Sequence, residues 1–171
     1  MNTNLQITGL SLSILLTAAL ASAAPYVSPR GYSLNIPPGW RVAPNPLPGR
    51  IRIEYKQSGS VAAAFGVDVG PQTGDLTLEA AVPGAIAEYK RRFSKVTIKS
   101  QTFSSLGGEK DFDIVAIAVL QGHSVCLRQV GVLKNNSLYV FTAGCREKDQ
   151  AKFDPTFAQI LASVRWKGQP R

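Results

Sequence analysis

The chain has 171 residues, the size of one ordinary domain. Hydrophobic residues make up 44% and charged residues 18%, which excludes disordered and fibrous classes. Nineteen Lys+Arg against eleven Asp+Glu give a net charge of +8, directing the surface towards anionic partners, while one His and two Cys are too few for an ordinary structural zinc site.

The first 24 residues hold no charged side chain. Leu10–Ala21 is an apolar stretch too short and too rich in Ser and Thr to span a bilayer. It runs into Ser22-Ala23-Ala24-Pro25, with Ala21 and Ala23 in the small-residue places of a signal-peptide cleavage site. We read residues 1–23 as a signal peptide cut after Ala23, and 24–171 as one exported domain that does not span the membrane. Met1–Gly9 carries no Lys or Arg, so an uncleaved anchor is the competing reading. No Cys lies beside the cleavage site to carry a lipid.

Tyr32–Ile36 alternates and enters a Pro37-Pro38-Gly39 turn capped by Trp40. A loop follows at Pro44, Pro46, Pro48 and Gly49. Arg50–Lys56 alternates charged with apolar residues, and Val61, Ala63, Phe65, Val67 and Val69 repeat every second residue. The two strands are joined at Ser58-Gly59. Val82, Ile86, Tyr89 and Phe93 then fall on one helical stripe, with Thr77 or Asp75 as N-cap. Pro83-Gly84 predicts a kink or a late start near Pro83.

Strands return at Lys95–Phe103, Asp111–Leu120, Ser124–Leu133 and Leu138–Cys145. Asp111–Leu120 is apolar on both faces and therefore expected at the sheet centre. Asn135-Asn136 suits a tight hairpin turn and, with Ser137, forms a glycosylation sequon. Asp154-Pro155 is read as the N-cap and first residue of a closing helix whose face is Phe157, Ile160, Leu161 and Val164. The reading is an α+β fold. Tyr32, Trp40, Tyr139, Phe141 and Trp166 are assigned to its core.

Cys126 lies nine residues before the turn pair and Cys145 nine after it, so the two should face each other across the hairpin. In an oxidising compartment such a pair is expected to close as a disulfide; two buried free thiols are the alternative. A redox role is disfavoured, because there is no C-x-x-C.

His123 is the single histidine, and Ser124 beside it points to the opposite face of a strand. No G-x-S-x-G, H-E-x-x-H or phosphate-loop motif occurs, so the chain is not expected to be an enzyme. Glu109, Asp111 and Asp113 share one strand face, where they are a weak calcium candidate. The favoured reading is a charge ladder opposite Lys95 and Lys99. Lys90, Arg91, Arg92, Lys95 and Lys99 form the densest basic cluster. At a helix C-terminus the first three complement the macrodipole; the functional alternative is an anionic-partner patch. Nucleic acid is not expected, since exposed stacking aromatics are not interleaved with the cations.

The stretch Gly31-Tyr32-Ser33-Leu34-Asn35-Ile36-Pro37-Pro38-Gly39-Trp40 resembles the G-Y/F-x-x-x-x-P-x-G-W opening of PsbP-like domains. Leu138–Ala143 and Phe157–Val164 are similar to that family's last strand and closing helix. The resemblance implies an α/β/α sandwich with a central antiparallel β-sheet flanked by helices, as in Mog and DcrB-like proteins. It also implies action by binding proteins rather than by catalysis, with no cofactor. Functional residues are not shared across its members, and none is carried over. The expected function is that of an exported binding or accessory domain whose partner is a protein or an anionic envelope component. The alternative is a small-ligand or calcium-binding accessory protein.

Overall fold

A computed structural model describes residues 23–44, 50–72 and 74–168. Residues 1–22 of the expected signal peptide, and Pro46, Pro48 and Gly49 of the expected loop, lie outside them. Among the described residues, ten strands and two α-helices follow in the order β1 (Ala24–Val27), β2 (Tyr32–Ile36), β3 (Trp40–Val42), β4 (Ile51–Gln57), β5 (Ser60–Pro71), α1 (Leu78–Arg92), β6 (Ser94–Leu106), β7 (Glu109–Leu120), β8 (His123–Lys134), β9 (Ser137–Arg146), α2 (Gln150–Ala162) and β10 (Arg165–Trp166). Seven strands form an antiparallel sheet in the order β3-β4-β5-β9-β8-β7-β6, and a second sheet has the order β1-β2-β10. No helix among the described residues is long and apolar enough to cross a membrane.

The alternating strands sort their side chains onto two faces. On β7, Phe112, Ile114, Ala116 and Ala118 pack with Val82 and Tyr89 of α1. Val115 and Ile117 turn to the other face and meet the larger core. That core joins Ile53, Phe65, Val67, Val132 and Phe141 of the large sheet to Phe153, Phe157 and Ile160 of α2. Tyr32 and Trp166 of the small sheet belong to it as well, with Tyr32 edge-on to both Tyr139 and Phe141. All five aromatic residues assigned to the core are buried.

Each face therefore carries one helix, with the small sheet sharing the α2 face. The sandwich expected from the resemblance holds for the antiparallel sheet and only loosely for its helical layers. β7 is second from the edge rather than central; α1 explains its two-sided apolarity. The helix starts also differ from expectation. α1 begins at Leu78, with the Thr77 hydroxyl accepting from Ala80 N at 3.2 Å, so Pro83 lies inside it. α2 begins at Gln150 after a 3-10 turn over Glu147–Asp149, which places Asp154 and Pro155 inside the helix.

The Asn135-Asn136 turn is present, with φ of 49° and 56°, and it sets the register Cys126↔Cys145. The disulfide is not formed: both cysteines are free, buried thiols. Counted from the two-residue turn, they occupy a hydrogen-bonded site of the ladder, where side chains stand further apart than at the alternate sites.

Candidate functional site

α1 covers only the outer half of its sheet face. Further in, the ladder brings Glu54, Ala64, Gly144 and Leu127 into one row across β4, β5, β9 and β8, and Arg52, Gly66, Thr142 and Gln129 into the next. The middle of both rows is small, so among the described residues no side chain of these strands rises to take the place of a helix. The result is a groove of about 630 Å³. Ala64, Gly66, Thr142 and Gly144 make its floor, and Phe93, Val125 and Leu127 wall it on the α1 side. Val61 and Leu120, 44% and 45% exposed, are apolar at its margin.

Charge gathers on the rim. Arg50, Arg52, Arg146 and His123 line the groove together with one acid, Asp68. Arg50 pairs with Asp68, and Arg52 Nε lies 2.8 Å from Glu54 Oε1. Arg146 makes no ion pair among the described residues. An apolar floor beneath guanidinium groups suits a segment of protein chain that carries both apolar and acidic side chains.

The residues singled out in the sequence are dispersed. His123 is the first residue of β8 and exposed at the groove margin, while the Ser124 hydroxyl donates to Glu147. The two do not form a Ser–His pair. Arg91 donates to Glu88 at 2.8 and 2.7 Å, and Arg92 also donates to it. The hydrogen bonds from Arg91 and Arg92 hold the Glu88 carboxyl down at about 2. Lys90 faces the cleft between α1 and β6, whereas Lys95 and Lys99 sit at the two register shifts of β6.

The carboxylates Glu109, Asp111 and Asp113 are each engaged. Glu109 pairs with Lys134. Asp113 accepts a forked pair of bonds from Arg128, at 3.0 Å from Nε and 2.6 Å from Nη2. Asp111 is 3% exposed and accepts from Ser104 Oγ at 2.8 Å. The expected ladder to Lys95 and Lys99 is corrected: the β6 residues opposite the three carboxylates are Leu106, Ser104 and Thr102. Among the described residues no group of three His, Cys, Asp or Glu side chains is placed to hold a metal ion. Burial raises the Cys126 thiol to about 11 and the Cys145 thiol to about 12, which makes both poor nucleophiles at neutral pH.

Sequence reasoning missed the groove. Its signal was present in Gly66 and Gly144, glycines inside otherwise regular strands, which mark places of close approach by another chain or ligand.

No protein-family model matches the sequence, and no curated protein matches it. Solved structures do match the fold. The cyanobacterial PsbP of Synechocystis sp. PCC 6803 superposes with a TM-score of 0.63 at 12% identity, over 88% of this chain and 95% of that one. LpqN of Mycobacterium tuberculosis, described as involved in cell envelope biogenesis, gives 0.63 at 16%, over 85% of each. The Ran-binding protein Mog1p of Saccharomyces cerevisiae gives 0.60 at 10%, over 85% and 96%. At such identities the likeness speaks for the fold alone. The chain has the PsbP/Mog-like fold.

Proposed function

We propose that this chain is an exported, non-enzymatic accessory domain that holds a segment of a partner protein in the groove beside α1. The observation that carries the proposal is the open half of the α1 face, small-floored over Ala64, Gly66 and Gly144 and rimmed by Arg50, Arg52 and Arg146. Export is supported by the apolar leader and its Ala21-Ser22-Ala23 site. A protein partner is supported by the Ran-binding neighbour, and an envelope setting by the mycobacterial one. The rim cations favour an acidic flank on the bound segment, and the apolar floor supplies the burial that retains it in salt.

The test is affinity capture from a native envelope extract, with the wild type compared with Ala64→Trp and Arg146→Glu at low and high salt. A protein retained by the wild type at both salts and lost from Ala64→Trp supports the groove. Arg146→Glu should weaken retention mainly at low salt. Equal retention by all three forms places the contact elsewhere. A reagent that releases everything with salt implicates charge alone, through Lys90, Arg91, Arg92, Lys95 and Lys99 or through an anionic envelope component.

A further inference from the structure

The free edge of β6 carries a knob and a hole on the same side of the sheet. β6 ends the seven-stranded sheet, so among the described residues no strand lies beyond its outer backbone groups. Its first half is guarded by Lys95 and Lys99 at the two register shifts, the ordinary protection of an edge. Its second half lacks that protection: Ser100–Ser105 is exposed throughout and holds no charge.

Within that stretch Phe103 is 49% exposed. Gln101 pairs with Ile114, and Phe103 with Phe112. Both partners pack under α1, so Gln101 and Phe103 project on the α1 side. There Gln101 borders a cleft whose apolar lining is Val82, Pro83, Ile86 and Ala87 of α1. Phe103 is not one of its walls.

We propose that β6 is a homodimer interface, joining two copies antiparallel about a two-fold axis at Thr102. In this register Phe103 of each copy stands opposite Gln101 of the other, at the mouth of the partner's α1–β6 cleft. A knob and its hole on one edge are what a closed two-fold contact requires, because each copy then supplies both. Lys99 meets Ser105 of the second copy, so no cation faces a cation although each chain carries +8. The contact adds backbone pairing to two buried phenyl rings, a small interface of the kind that forms weak, concentration-dependent dimers.

The experiment is sedimentation velocity of the purified chain over a concentration series, with Phe103→Asp, Thr102→Cys and Thr97→Cys. The wild type should shift from monomer to dimer across the series, and Phe103→Asp should weaken the dimer at least about tenfold. Under mild oxidation Thr102→Cys should form a covalent dimer through its self-opposed position, and Thr97→Cys should not. A chain that stays monomeric with Thr102→Cys uncrosslinked overturns the proposal. So does a dimer indifferent to Phe103→Asp, or equal crosslinking of both cysteine variants.

Discussion

A Cβ placed on Gly131 would lie 2.2 Å from both Cε1 and Cζ of Phe112, its cross-strand partner on β7. The phenyl ring occupies the space a side chain on β8 would take, and it is 1% exposed under α1. Gly131→Ala should therefore destabilise the fold by about 1–3 kcal/mol through overpacking. Phe112→Leu in the same chain should recover part of that loss, so the double variant should cost less than the two single changes together. Chemical denaturation of the four proteins checks this, and strict additivity would contradict it.

Asp111 gives a pH signature. Burial raises its carboxyl above the ordinary range despite the Ser104 hydrogen bond. The folded state thus binds the proton more tightly than the unfolded chain, and the ionised form burdens the fold at neutral pH. Asp111→Asn should raise Tm at pH 7. The gain should shrink as pH falls through the folded pKa and vanish below the unfolded value of 3.8. A gain that persists in acid would assign the effect to something other than this charge.

The two cysteines make a chemical prediction. Thiol titration of the native protein at pH 8 should be slow at Cys126 and Cys145, both buried and raised to about 11 and about 12. Unfolding without reductant should release two fast thiols, because only the ordinary thiol acidity then remains. An intact mass lower by two hydrogens would show instead that the strands had shifted enough to close a disulfide.

The Thr77 cap is testable in the same way. Thr77→Ala removes the acceptor for Ala80 N and should cost about 1 kcal/mol, while Thr77→Ser should cost much less. Thermal unfolding distinguishes the two.

Local signals carried much of the fold. The Asn135-Asn136 turn and the alternation on either side of it give the β8–β9 register residue by residue, since a two-residue turn leaves one pairing. The Asp154-Pro155 signal misled because Pro at the first helical turn and Pro a turn further in look alike in sequence. What decided was the 3-10 lead-in at Glu147–Asp149. The short strands Ala24–Val27 and Arg165–Trp166 are defined by long-range pairing with Tyr32–Ile36 and carry little pattern of their own. The carboxylate ladder failed for a related reason. The tight turn at Gly107-Gly108 pairs Glu109, Asp111 and Asp113 with Leu106, Ser104 and Thr102, so Lys95 and Lys99 fall further along β6, beside the apolar end of β7. The groove depends on how far α1 reaches across the sheet. Gly66 and Gly144 hint at it, yet only the packed layers show which half-face stays open.

On the proposed function, the open half-face beside α1 holds a protein segment. The most direct measurement is photo-crosslinking in the living source cell, with the photoreactive residue at Ala64 on the groove floor or at Ala80, exposed on α1. One discrete protein adduct is expected from position 64 and none from position 80. No adduct from position 64, or the same adducts from both positions, would contradict it.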